Sequence, residues 1–359
     1  MAITAFQTII NGTKGEKLEK LNTGIDYLLN LNTIHSQAFI DLATERRRYR
    51  GNHPTEIAAL KCMDGRLNLP VMTQTALGII QPFRNLGGKF DLGWPFFQSI
   101  LDSWIQYSIR RGRHCLTFVT YHYARGDIQR GCKGFNYDTD AARDMAIKLK
   151  DQFDRIYGKG AVVPIVCGIE TDLDALILHG EDGSAIDLAE TKKMSKIELK
   201  NMLRSLYPSM SEQIISDMLP LIEGNIRHIA EIRSSNRPIT EVEHNEWVLG
   251  VGRGFDWLHA INTAFLVGPF DPNLSVAIET AATLLLDNIE NGRGNQSGAV
   301  LITSAGYRST GAEHELAKEK ATYLSKFATN VIKHKVPGLV PHLQVLTACT
   351  DFNTRKIEV

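Results

Sequence analysis

Apolar positions recur at helical spacing through the start of the chain, at Leu18, Leu21, Ile25, Leu28 and Leu29 and again at Ile34, Phe39, Ile40 and Leu42, which predicts a helical arm over residues 1–50. From Thr55 the pattern becomes short apolar runs separated by loops and amphipathic stretches. Strands are predicted at 57–60, 78–83, 115–120 and 161–169, and helices at 96–109 and 141–157, the latter with Met145, Ile147, Leu149, Phe153 and Ile156 on its apolar stripe. Strands alternating with helices indicate an α/β fold with a mainly parallel sheet. A turn at 180–184 leads into a second helical stretch from about Asp187 to Ser235, and after Asn236-Arg237-Pro238 the α/β pattern begins again.

Laying the chain on itself shows that this is a repeat. Residues 115–120 fall on 300–305, Gly126 on Gly311, Leu101-Asp102 on Leu286-Asp287, Glu56-Ile57-Ala58 on Glu246-Trp247-Val248, and Thr171-Asp172 on Thr350-Asp351. The chain therefore divides into an arm at 1–50, an α/β core at 51–185, a second arm at 186–240 and a second core at 241–359. The copies differ in their polar residues. Cys62 matches Gly252, Asp64 matches Gly254, Arg66 matches Asp256, His122 matches Tyr307, and Cys132 falls near Ala317. One copy with a complete polar set and one degenerate copy follow.

At 359 residues, two cores of this size are readily buried. Lysine plus arginine number 40 and aspartate plus glutamate 40, a balance that argues against nucleic acid or an anionic membrane as the main partner. No apolar run reaches spanning length, and the first residues lack the pattern of a secretion signal. Five cysteines, an odd and sparse set, read as reduced thiols of a cytoplasmic protein. The basic cluster of Arg46, Arg47, Arg48 and Arg50 reads as a solvated helix end or an interface patch.

Candidate chemistry gathers in the first core. In Cys62-Met63-Asp64-Gly65-Arg66 a thiol, a carboxylate and a guanidinium alternate just past a strand, so that they face one side. His122 follows the strand at 115–120, and Cys132 lies in the loop beyond it. Two thiolates and an imidazole suit Zn²⁺ and leave a fourth position open. Residues past the carboxyl ends of neighbouring parallel strands face a common crevice, which brings such distant positions together. Cys115, Cys167 and Cys349, in apolar runs, read as small buried hydrophobes, and His114 stands at the wrong end of its strand. The glycines of Gly250-Val251-Gly252-Arg253-Gly254 only superficially suggest a dinucleotide loop, since Phe255 occupies the position that needs the last glycine.

Cys-x-Asp-x-Arg after a strand, then Arg84-Asn85-Leu86-Gly87-Gly88 before a helix, then a strand ending in His with a Cys beyond, resembles the β-class carbonic anhydrases. The usual His-x-x-Cys is lengthened here, from His122 to Cys132. With a degenerate second copy, that spacing is similar to the carboxysome shell carbonic anhydrase subfamily. The resemblance implies zinc on Cys62, His122 and Cys132, with Asp64 and Arg66 as a dyad beside it. It implies reversible hydration of CO₂ to bicarbonate, an internal pseudo-dimer with one zinc per chain and further pairing into a homodimer; carboxysome shell association is not carried over, because that subfamily has an additional large N-terminal domain where this chain has about fifty residues. Hydrolysis of carbonyl sulfide or carbon disulfide, or a catalytically silent zinc-containing assembly protein, are the alternatives.

Overall fold

The computed structural model describes residues 23–158, 160, 162–191, 194–235, 237–258 and 260–359. Leu18 and Leu21 of the predicted first arm, the N-terminal residues weighed as a signal, Ala161 of the predicted fourth strand and Asn236 lie outside them. Backbone contacts divide the chain into two compact α/β units, each built on a mainly parallel sheet.

The six-stranded unit comprises Arg46–Cys62 and Leu67–Val242. Its strands are β1 (Glu56–Cys62), β2 (Ile80–Asn85), β3 (Cys115–Tyr123), β4 (Val162–Glu170), β5 (Ala175–His179) and β6 (Ala185–Asp187), in the order β2-β1-β3-β4-β5-β6. The first four in that order are parallel, joined through the helices Pro95–Ile109 and Thr139–Tyr157, and β5 and β6 add antiparallel edges. All seven residues of β1 are buried, as the central strand of a sheet covered on both faces requires. Its two charged members are matched locally: Arg113 Nη1 donates to Glu56 Oε1 at 2.9 Å, and Lys61 Nζ donates to the Leu67 carbonyl.

Several boundaries differ from the sequence expectation. β2 begins at Ile80 rather than 78, because Gly78 takes a positive φ and turns the chain. β1 and β3 extend through Cys62 and Tyr123, so Cys62 is the last residue of β1 and His122 the next to last of β3, instead of lying beyond them. The stretch from Asp187 resolves into β6 and two helices, Lys196–Leu206 and Glu212–Ser234, with Pro208 in the break and Ser211 Oγ capping the second helix. The β5–β6 hairpin had no periodic signature in the sequence; Ala175–His179 is too short and too uniformly buried to alternate.

The five-stranded unit comprises residues 23–45, Met63–Arg66 and Glu243–Val359. Its strands β7 (Val248–Gly252), β8 (Ala264–Val267), β9 (Ala299–Tyr307), β10 (Leu343–Asp351) and β11 (Ile357–Glu358) are ordered β11-β10-β9-β7-β8. Read from its other edge, this is the order of β2-β1-β3-β4-β5, with the same parallel core and antiparallel last strand. The repeat in the sequence is thus a repeat of topology.

The arms are exchanged between the cores. The first arm's helix Gly24–Asp41 belongs to the five-stranded unit, where Leu28 and Leu31 pack with Trp247, Val248, Val300 and Ile302. There the Asn32 side chain donates to the Arg355 carbonyl at 2.9 Å and accepts from Ile357 N at 3.0 Å, completing the β11 edge. The second arm's helix Glu212–Ser234 belongs to the six-stranded unit. Fully buried Asn225 fixes it: Nδ2 donates to the carbonyls of Met72 at 3.0 Å and Asp174 at 2.8 Å, and Oδ1 accepts from Leu176 N at 3.0 Å. Among the described residues no helix is long and apolar enough to cross a membrane.

Asn225→Leu strands these three backbone groups in a dry site, where each unsatisfied group is worth about 1–3 kcal/mol. We expect a loss of about 3 kcal/mol or more in urea unfolding, measured as a lower midpoint with an unchanged slope.

Candidate metal centre

The first core positions Cys62, His122 and Cys132 by three separate devices. Cys62 ends β1. The pairing of β1 with β3 places Leu60 beside Val119, so the longer β3 carries His122 past the end of β1. Cys132 arrives from a loop docked on the turn Leu86–Gly88, where Lys89 Nζ donates to the Gly134 carbonyl at 2.6 Å. Within that loop the Cys132 carbonyl accepts from Phe135 N at 3.1 Å and Tyr137 N at 2.9 Å. Gly88, with φ +65°, lets the turn close against the sheet: a Cβ there would lie 3.1 Å from the Thr120 carbonyl oxygen and 3.3 Å from Cys62 N. The Arg-Asn-x-Gly stretch is therefore the support on which both thiols are brought together. Arg84 and Asn85 lie on β2, and Asn85 Nδ2 bonds the Lys89 carbonyl at 2.8 Å across the turn.

The result is a buried group whose sulfurs and imidazole nitrogen all lie within 4.8 Å of one another. The sulfurs are 4.0 Å apart, twice the length of a disulfide and close to the ~3.8 Å edge of a tetrahedron drawn with Zn–S bonds of about 2.3 Å. The donor set and its spacing fit a single metal ion with a position left for another ligand. The other thiols offer no such chemistry. Burial pushes Cys115 up to about 11 and Cys167 up to about 12, and raises Cys349 as well, so all three stay protonated at neutral pH.

Asp64 and Arg66 do not continue the alternation of β1. The chain bends after Cys62, and Met63–Arg66 belongs to the five-stranded unit, where Leu266 N donates to the Met63 carbonyl and Asn262 N to the Gly65 carbonyl, each at 3.0 Å. The carboxylate and the guanidinium meet through this turn instead of along a strand face. Arg66 donates from its backbone N and Nε to Asp64 Oδ1, at 2.9 and 3.1 Å, and from Nη2 to Oδ2 at 2.6 Å. The pair is almost wholly buried, with side-chain exposures of 0 % for Arg66 and 4 % for Asp64. It is a fork on a carboxylate, not a surface ion pair.

Two further residues of this cluster had no signal in the sequence. Arg66 Nη2 also lies 3.1 Å from His244 Nε2, and His244 Nδ1 lies 2.9 Å from Glu246 Oε2. Glu246 Oε1 accepts from Gly65 N at 3.0 Å, in the middle of the Asp64–Arg66 turn. Glu246 was visible only as the repeat's match to Glu56; nothing in a linear pattern links it to Arg66.

The degenerate copy is closed where the other is polar. Gly252, matching Cys62, has φ +126°, and a Cβ there would fall 1.9 Å from the Ser304 carbonyl oxygen. Asp256 pairs with Arg355 at 3.0 Å, and Tyr307, matching His122, donates its hydroxyl to Glu358 at 2.7 Å. Cys62, His122 and Cys132 form the sole cluster of cysteine and histidine with ligand spacing among the described residues.

Purified protein is expected to hold about one metal ion per chain by elemental analysis, and Cys62→Ser or Cys132→Ser to lose it while remaining folded. Iodoacetamide at neutral pH is expected to leave Cys115 and Cys167 unmodified until the protein is unfolded, as read by peptide mass mapping.

No protein-family model matches the sequence, and no curated protein matches it. The site is therefore described by its residues: a buried Cys62, His122 and Cys132 set able to bind a metal ion, in one of two copies of an α/β unit.

Proposed function

We propose that the chain is a zinc-dependent carbonic anhydrase that interconverts CO₂ and bicarbonate. The observation that carries the reading is the convergence of two thiol ligands and one imidazole within 4.8 Å, in a chain that places a forked carboxylate–guanidinium pair two residues beyond the first of those thiols. Cys62, His122 and Cys132 would hold the ion, two thiolates and an imidazole being a donor set that favours zinc over harder cations. When bound, zinc supplies the Lewis acidity that makes water nucleophilic at about pH 7.

The protein's own part falls to Asp64 and Arg66. Arg66 engages both oxygens of Asp64, which fixes the direction of the carboxylate. A carboxylate so held can only accept. A hydroxyl set against it must donate its proton there and turn its lone pairs elsewhere, toward the carbon of CO₂. The balance is one CO₂ and one water consumed, one bicarbonate and one proton released.

Asp64→Asn keeps shape and one acceptor oxygen but replaces the other by a donor facing Arg66. Stopped-flow CO₂ hydration is expected to fall about 10²-fold or more with metal content unchanged. Wild-type protein loaded with zinc but unable to hydrate CO₂ would sink the proposal, and sulfide release from carbonyl sulfide or carbon disulfide in a parallel assay would redirect it to those substrates.

A further inference from the structure

Asp64, His244 and Glu246 bring a carboxylate, an imidazole and a second carboxylate within 4.8 Å, a spacing that would suit a second cation. Arg66 rules that out. Its Nη2 stands 2.6 Å from Asp64 Oδ2 and 3.1 Å from His244 Nε2, so a guanidinium already occupies the place between them. The four side chains instead make a directed chain of hydrogen bonds whose polarity can be worked out from what each group is able to donate.

Arginine has donors only. His244 Nε2, facing Arg66 Nη2, must therefore present its lone pair, and the ring proton of the neutral imidazole sits on Nδ1. Nδ1 faces Glu246, 2.9 Å from Oε2 and 3.2 Å from Oε1, so it donates to that carboxylate. Glu246 is wholly buried and uses Oε1 again to accept from Gly65 N at 3.0 Å. One glutamate thus fixes both the imidazole tautomer and the backbone of the turn that carries Asp64 and Arg66.

We propose that Glu246 and His244, supplied by the copy without the Cys–His–Cys set, are positioning residues for the Asp64–Arg66 pair. Glu246 selects the His244 tautomer that accepts from Arg66, and His244 holds the guanidinium so that its fork stays on Asp64. The proposal rests on the carbonic anhydrase reading for its catalytic consequence, while the tautomer and the hydrogen-bond chain stand without it.

His244→Phe keeps the ring volume and removes the acceptor. His244→Gln offers a carbonyl oxygen to Arg66 in its place. We expect His244→Phe to lower kcat for CO₂ hydration about 10- to 100-fold with little change in KM and full metal content, and His244→Gln to recover most of the loss. Glu246→Gln, which has one acceptor oxygen for two N–H groups, is expected to behave like His244→Phe and serves if the latter does not fold. In ¹⁵N-histidine-labelled wild-type protein, the His244 resonances should show Nε2 as the unprotonated, pyridine-like nitrogen, and Glu246→Gln should weaken that preference. Wild-type hydration left unchanged by His244→Phe and Glu246→Gln would overturn the inference, as would an Nε2-protonated ring in the wild type. Absence of CO₂ hydration in wild type with the expected tautomer would overturn the functional reading alone.

Discussion

A guanidinium shut away from water is tolerable only when its charge and donors are matched, and Arg66 is such a group. Removing one partner from a buried pair of this kind costs about 3–5 kcal/mol, because the other charge is left alone in a medium that solvates it poorly. The demand reaches outward from Arg66. Asp64 must present both oxygens, His244 must present a lone pair, and Glu246 must hold His244 and the Gly65 backbone together. A short turn of four residues is in this way over-determined by groups far apart in the chain. Over-determination is what a site needs if a carboxylate is to point in one direction only.

The Cys62, His122 and Cys132 set depends on a different constraint, the pairing of parallel strands of unequal length. β3 runs past β1, so a histidine near the end of one strand reaches a cysteine at the end of its neighbour. The second thiol comes from a loop and needs its own support, which the glycine turn after β2 and the Lys89 bond to Gly134 provide. The residues between His122 and Cys132 form a loop that folds down onto that turn. The three inert thiols show the contrast: in apolar strands their burial outweighs the neighbours that favour the thiolate, and they stay protonated.

The exchange of arms gives each unit a helix from the other half of the sequence. Each core is covered by the arm that precedes the other core in the chain, through Asn32 in one unit and Asn225 in the other, so neither half is complete alone. In the second copy, the positions matching Cys62, Arg66 and His122 serve packing and local pairing: Gly252 lies against Ser304, Asp256 pairs with Arg355 and Tyr307 bonds Glu358. His244 and Glu246 show the reverse, residues of that copy drawn into the cluster around Arg66.

The sequence by itself determined the α/β class, the tandem repeat and the concentration of Cys62, His122 and Cys132 in one copy, because hydrophobic periodicity and self-similarity are local and additive along the chain. It also marked Asp64 and Arg66, though for a reason that does not hold: strand alternation stops at Cys62, and the pair meets across a turn. Only the tertiary structure decided that the arms are exchanged, that the glycine turn after β2 carries the Cys132 loop, and that His244 and Glu246 complete the surroundings of Arg66. Those features depend on which buried donor faces which acceptor across long stretches of chain. A linear pattern records that a residue is polar, but the partner that allows it to be buried is chosen by packing.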